Sequence, residues 1–393
     1  MIAALATVLC APANATNTLT AQQYWAAKAG LAAMSKLNLL TLSNATLHSD
    51  VEGKVFVGGN LDGNNAPVAI GSTSGKSYLQ DNNYRSLTVG GNATNVQVNN
   101  GIGLSSITAV VGGNASGVQF NNNNATAVLE VAGNVNAQNF NPNSKKTIRY
   151  GGTITGAQTQ DATYEKHDTT LKAGGAADLK AAISLATTTY AGEMTTLSSV
   201  LAALTPNATL ISTDQNNIHF NFTTDATNGN FAVANITASQ LASGTFNLPT
   251  YATATNGKTL IINVTGSTVT FGANEVGNGS ADQQNIIWNF VDATSVVVNT
   301  AVYGSVLAPK ATITGNSPIN GSVVANVFNS NGEVHLGTFN GNTGFLVAPT
   351  GGGSHSQVPG VPEPSSWMTM LMGFGIIGSL IRRRRRGEHL AAA

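Results

Sequence analysis

The sequence predicts a mainly β protein: a parallel β-solenoid, or β-helix-like body, with a helical insertion, an N-terminal signal peptide and a C-terminal transmembrane helix. Three observations predict it. A Val-Gly-Gly-Asn unit recurs at a spacing near 20 residues, close to one solenoid coil. Charged residues make up only 9% of the chain, against 43 Gly and 45 Asn, so amides and hydroxyls do the solvating. Between Asn143 and Asn207 asparagine disappears and a helical period replaces the strand pattern.

With 393 residues and 42% apolar content the chain can bury a large core. Its balance of 18 basic and 18 acidic residues hides a bias. Five arginines sit in one C-terminal block, and residues 16–362 hold 13 Lys and Arg against 16 Asp and Glu, a balance of −3. There is no basic stripe with interleaved aromatics, so nucleic acid is excluded as a partner.

In chain order, the first element is an apolar run, Ile2 to Leu9, followed by Cys10 and by Ala13-Asn14-Ala15. This reads as a signal peptide, 1–15, with Ala13 and Ala15 as the small residues of the cleavage site, although its n-region has no Lys or Arg. Cleavage after Ala15 removes the single cysteine, leaving no disulfide and no thiolate chemistry. Residues 20–36 carry Tyr24, Trp25, Ala27, Leu31 and Met34 at mostly helical spacing behind Thr20 as N-cap, a short helix expected to cap one end of the body.

Strand patterns begin at Asn38. The repeat follows as Gly58-Gly59-Asn60, Gly90-Gly91-Asn92, Gly112-Gly113-Asn114 and Gly133-Asn134, each after a valine or Val-Ala, with a degenerate copy at Gly151-Gly152. Second glycines step by 32, 22, 20 and 19 residues, which places a longer insertion in the first coil. The valine is expected to point inward, the glycines to allow positive φ or close backbone approach, and the asparagines to cap corners and hydrogen-bond from coil to coil. A phosphate-cradling loop is disfavoured because no helix follows any of the first four copies. Asp62 to Asn65 and Asn121 to Asn124 offer calcium-type oxygens, but carboxylates are sparse around both and turns are the simpler reading.

Within 161–205, Leu179, Ile183, Ala186, Tyr190, Met194, Leu197, Leu201 and Leu204 form an apolar stripe, expected to lie along the solenoid flank as a helix or helical hairpin. Gly192 is a candidate kink and Pro206 a stop. From Ala208 strands return, including Leu260 to Val264 and Ile286 to Phe290, and Gly304-Ser-Val-Leu-Ala308 recurs 17 residues later as Gly321-Ser-Val-Val-Ala325. The solenoid is expected to resume there and to run to 348, before a Gly/Pro-rich linker at 349–361.

The chain then reads Val361, Pro362, Glu363, Pro364, an uncharged stretch over 365–381, and Arg382, Arg383, Arg384, Arg385 and Arg386, with a tail at 387–393. Seventeen uncharged residues give roughly 25 Å of helix, the short end of what crosses a bilayer, and the arginines hold that end in the cytoplasm. The three parts at 362–386 closely resemble the PEP-CTERM sorting signal. That resemblance implies processing near the motif by an exosortase-type enzyme, transient residence in the inner membrane through 365–381, and then the cell surface or extracellular matrix of a Gram-negative-type bacterium.

Residues 38–60, with Ile261 to Gly266, Ile287 to Phe290 and Gly304 to Pro309, resemble the choice-of-anchor A family, a likeness covering about 30–345. It implies an adhesive surface domain and supplies no catalytic residues, no metal and no cofactor.

The residues themselves give little sign of catalysis. The histidines 48, 167, 219, 335, 355 and 389 show no metal spacing, and no Gly-x-Ser-x-Gly elbow is present. Asp50 and Glu52, two apart in a strand, are the best carboxylate pair for glycoside chemistry. A non-enzymatic adhesin engaging exopolysaccharide or other surface glycans is therefore expected. The alternatives are a polysaccharide-active enzyme on a β-solenoid scaffold or a passive biofilm matrix protein without a specific ligand. An ice-binding solenoid needs a flat, regular Thr-x-Thr ladder and is disfavoured, because the threonines are not expected to recur at one coil position.

Overall fold

The computed structural model describes residues 19–349 apart from 71–83, 100–105, 122–125, 138, 141–144, 157–164, 213, 215, 217, 223–230, 249–258 and 278–281. The expected signal peptide and the C-terminal sorting segment, with Ala13, Ala15, Val361 to Pro364 and Arg382 to Arg386, therefore lie outside the described residues, as do 71–83 within the long first step of the repeat.

The body is a three-faced parallel β-solenoid. Its first face stacks, from bottom to top, the strands Phe231–Thr237, Thr259–Thr265, Ile286–Phe290, Ser305–Gly315, Val323–Ser330, Leu37–Thr41, Lys54–Val57, Leu87–Val89, Ser106–Val111, Thr126–Val131, Lys145–Tyr150 and Glu165–His167, every neighbouring pair parallel. The coils are thus stacked out of sequence order. The first strand of the chain, Leu37–Thr41, sits in the middle, between Val323–Ser330 of the second half and Lys54–Val57 of the first.

Two helices make this permuted stack possible. Helix α1, Ala21–Lys36, starts at a capping box between Thr20 and Gln23, and helix α2, Leu179–Ala202, starts at Asp178, which accepts from the Ala181 N–H. Helix α2 is a single continuous helix, so Gly192 does not break it. It runs from the top of the stack toward the bottom. Lys172, just before α2, lies against Gly151; then Lys180 lies against Gly112, Ile183 against Gly90 and Thr187 against Gly58. Farther along, Ser198 bonds Asn289, Leu201 bonds Asn263, and Asn207, beyond the helix, bonds Val233. From Lys180 to Leu201 is roughly 32 Å of helix, and the strands from Gly112 to Asn263 rise roughly 34 Å at the usual strand spacing. The helix thus has the length needed to return the chain to the opposite end. The solenoid does not resume where it stopped; it restarts at the bottom and climbs until it meets its own first strand.

Helix α1 does not cap an end. Its buried residues Ala27, Gly30, Leu31, Ala33 and Met34 pack beside α2 on the flank, and the Ser322 hydroxyl donates to the Met34 carbonyl. Up to Ser106–Val111 the first face is consequently covered on both sides, whereas in its top strands Glu130 and Arg149 are half-buried and Lys166 and His167 exposed. Its strands bury Leu39, Val55, Val57, Val89, Val111 and Val131 inside the solenoid, and Leu40, Phe56, Val110, Val233, Ile261, Ile287, Leu307 and Val324 under the helices. Unbroken apolar runs such as Ile286–Phe290 are the sequence form of such a doubly buried strand. In the lower coils the interior is filled by Phe246, Phe271, Phe290 and Trp288, with the Phe271 and Trp288 rings edge-to-face at 4.9 Å and Trp288 Nε1 donating to the Tyr303 carbonyl.

The bottom is closed by an antiparallel pair, Ala208–Ser212 with Ile218–Phe222. At the top, Glu165–His167 is itself the last strand of the first face, and Arg149 there bridges Glu130 and Asp168. Among the described residues no helix is long and apolar enough to cross a membrane.

Candidate recognition surface

Because the helices cover the first face except at its top strands, the outward side chains of the other two faces make up most of what the body presents to a partner. On the second face, register places Thr270, Val297, Thr314, Asn329, Thr46, Asp62, Thr94, Ser116, Asn136 and Thr155 in one column, one per coil. In the lower coils Thr268, Ser295, Thr312 and Val327 form a second column beside it. Threonine therefore does recur at one coil position, contrary to the sequence expectation. Chain order hid the recurrence, since coils adjacent in space are far apart in sequence. On the third face Gln97 and Gln119 stack, Asn121 donates to Gln97 Oε1 at 2.8 Å, and His335 Nδ1 lies 2.9 Å from Asn320 Oδ1.

At the corner before the second face stand the repeat asparagines. Asn44 Oδ1 accepts from the Asn60 N–H, Asn60 Oδ1 from Asn92, Asn92 Oδ1 from Asn114 and Asn114 Oδ1 from Asn134, each at 2.8 Å; Thr153 closes the series on Asn134 Oδ1 at 2.9 Å. The glycines serve this ladder by proximity. A Cβ at Gly113 would lie 2.5 Å from Asn92 Oδ1, and Gly59, Gly91, Gly133 and Gly152 are placed alike, so no side chain fits there. None of these five glycines, nor any of the corner asparagines, has positive φ. Gly58, Gly90 and Gly112 lie against α2 and the backbone of the coil below. The valines of the repeat, Val57, Val89, Val111 and Val131, are buried.

A second asparagine column, on the first face, was not recognised in the sequence. Asn289 Nδ2 donates to Asn263 Oδ1 at 2.8 Å and to the Ser198 carbonyl at 2.9 Å, while Asn263 Nδ2 donates to Asn235 Oδ1 and the Leu201 carbonyl, both at 3.1 Å. It ties the last turns of α2 to the sheet. The available signal was one Asn at the same place in three apolar strands, Phe231–Thr237, Thr259–Thr265 and Ile286–Phe290.

The carboxylate pair lies at the junction of the two halves. Asp50 and Glu52 flank buried Val51, which bridges Val68 and Val334 where the two halves of the chain meet. Glu52 Oε2 accepts from the Leu336 N–H at 2.6 Å, and Asp50 takes the Ser49 hydroxyl. Asp62 to Asn65 is a turn: Asn64 and Asn65 have positive φ, and Asp62 Oδ1 accepts from the Asn64 N–H. Of Asn121 to Asn124, only Asn121 lies within the described residues. Among the described residues no three His, Cys, Asp or Glu side chains group as metal ligands. A cavity of about 380 Å³ between α1 and α2, lined by Leu19, Gln23, Thr195, Thr196, Ser199, Val200 and Ala203, holds no acid, base or nucleophile of an activated kind.

The profile of a family described as "Putative Ice-binding-like adhesive domain" matches residues 30–128 and 105–336. The chain belongs to this family. The PEP-CTERM protein-sorting motif matches residues 360–386, so the family's domain is joined here to the address of an exported surface protein handled by an exosortase-type system. No curated protein matches the chain. Among solved structures, an ice-binding protein from the Antarctic ascomycete Antarctomyces psychrotrophicus is similar at 10% identity, covering 79% of this chain and 98% of that one with a TM-score of 0.29. An ice-binding protein from an Antarctic bacterium of the Flavobacteriaceae is similar at 14% identity, covering 78% and 98% with a TM-score of 0.28. Superpositions this loose do not transfer a surface.

Proposed function

We infer that the solenoid is a non-catalytic adhesive module that carries its host cell's contacts with surface or matrix glycans. The observation that carries this reading is the division of the surface. One face is covered by helices over most of its height, while the others present hydroxyl and amide groups in columns that repeat once per coil. Such columns offer a long series of weak hydrogen bonds, and many copies on one cell convert them into avidity. Signal cleavage after Ala15 and processing near Pro362-Glu363-Pro364 would deliver the module to the surface.

The test deletes 38–345 while keeping both terminal signals. Cell aggregation or attachment to glycan-coated surfaces should fall, whereas Asp50→Asn with Glu52→Gln should leave it unchanged. Loss of the phenotype in the double carboxylate variant, or release of sugar from a matrix polysaccharide, would replace adhesion by catalysis. Peptide mapping of surface material should lack the Arg382 to Arg386 segment.

A second reading has one specific observation behind it. Thr268 and Thr270, and Thr312 and Thr314, lie side by side on two coils of the second face, in a chain whose family is described as ice-binding-like. Val297, Asn329 and Asp62 interrupt the pattern, and Asp62 brings a charge that holds liquid water strongly. Thermal hysteresis measured on the protein would support ice as the partner; its absence would leave the glycan reading in place.

A further inference from the structure

We propose that the asparagine corner, together with Lys172 and Lys180, is a track for a linear acidic polysaccharide lying along the solenoid axis. The proposal rests on the adhesive reading and names its ligand class.

The ladder fixes the polarity of every amide in it. Each Oδ1 accepts a backbone N–H from the next coil, which a nitrogen could not do, so the Nδ2 atom of each faces away from the ladder. Asn44, Asn60, Asn92, Asn114 and Asn134 are all exposed, and among the described residues no group accepts from their Nδ2 atoms. The contrast with the other column is informative: Asn263 and Asn289 are buried and their Nδ2 atoms are satisfied twice over. The corner is therefore a row of immobilised donors, without acceptors among the described residues, about 5 Å apart and about 20 Å long. This interval is about the length of one pyranose ring in an extended chain, so successive sugars would meet successive amides.

The charge beside the row selects among glycans. On its helix side, the Cα of exposed Lys180 lies against Gly112 and the stem of exposed Lys172 against Gly151; neither lysine forms an ion pair among the described residues. The nearby acids are already engaged, Asp168 with Arg149 and Thr170, and Asp178 with the N–H groups of Gly174 and Ala181. Asp62 lies on the opposite side of the row, on the second face, and accepts from Asn64 and Thr94. A chain carrying a carboxylate on each ring would turn its carboxylates to the lysines and its ring and hydroxyl oxygens to the amides.

The experiment uses the full chain in detergent, with Arg382, Arg383, Arg384, Arg385 and Arg386 changed to serine in every sample so that the basic block contributes nothing. Polygalacturonate, a neutral β-glucan of similar length and duplex DNA are the probes. The protein should hold polygalacturonate best. Asn92→Asp with Asn134→Asp keeps the acceptor that the ladder needs and replaces each donor by a negative charge; it should weaken polygalacturonate binding roughly tenfold at low salt, less as salt screens the added charge. Lys172→Gln with Lys180→Gln, at exposed positions, should weaken it several-fold and keeps the test decisive if the aspartate variant melts early. Unchanged affinity in both variants overturns the proposal, as does DNA held by the parent as tightly as polygalacturonate. Binding of the neutral glucan without polygalacturonate overturns the acidic track and leaves the adhesive reading standing. No binding of any probe, with normal attachment of the deletion strain, removes both.

Discussion

At the scale of single residues, asparagine does two jobs that differ in burial and therefore in energy. Asn289 is fully buried, donates to Asn263 and the Ser198 carbonyl, and accepts from the Ser198 hydroxyl at 2.7 Å. Asn289→Ala strands those partners away from water and should cost about 2–4 kcal/mol in a denaturant titration. Asn114→Ala, at the exposed corner, should cost only about 1 kcal/mol because water replaces its partner. Glu275 supplies a pH signature. Burial pushes its carboxyl well above the usual carboxylate range, against the opposing hydrogen bond from the Tyr303 N–H, and its Oε1 has no partner among the described residues. A carboxyl raised in the folded state favours folding while it is protonated, and that advantage is lost as pH rises above its unfolded value of about 4.3. Glu275→Gln should therefore melt higher than the parent at pH 7, with the difference closing below pH ~4.

At the scale of elements, α2 and the glycine corner fit each other, and substitutions on the two sides should act in opposite directions. A Cβ at Gly91 would collide with Asn60 Oδ1 and the backbone of Gly59, so Gly91→Ala should lower the unfolding free energy by about 2 kcal/mol or more. Gly192 lies in the helix with open space where its Cβ would be; Gly192→Ala should stabilise by about 0.5–1 kcal/mol. A stabilising Gly91→Ala would mean that the corner is not packed against the coil below as described. At the top edge, burial raises the Asp168 carboxyl, but hydrogen bonds from Thr170 and the Arg149 guanidinium outweigh it and hold the group below its ordinary value. Such a carboxylate contributes stability above its unfolded value of about 3.9 and loses it as pH falls through the lower folded value. Arg149→Met should flatten that acid limb.

For the whole molecule the decisive feature is the meeting of the two halves around Leu37–Thr41. Buried Asn38 joins them: its Nδ2 donates to the Gly321 carbonyl at 2.8 Å and the His335 carbonyl at 3.0 Å, and its Oδ1 accepts from the Gly53 N–H at 2.8 Å. Backbone amides at 39–41 should exchange with deuterium as slowly as those of Val55 to Val57, despite standing near the start of the domain. Fast exchange at 39–41 would show that the strand is an edge and that the permuted stack is wrong.

Much of this molecule was legible in residue order because its rules are local. A valine, two glycines and an asparagine at a near-constant step specify a corner, since the inward side chain, the missing Cβ and the short amide are all used within one coil and its neighbour. The stripe from Leu179 to Leu201 likewise announced a flanking helix. The order of the coils was not legible, because one parallel strand edge offers the same row of N–H and C=O groups as any other. Residue spacing therefore cannot say which coil meets which. That was decided in three dimensions by the span of α2, which sets the second half at the far end of the stack, and by the polar groups around Asn38 that only the right junction satisfies. The same permutation assembled the threonine column and the row of exposed amides, surfaces that exist only once distant segments are stacked.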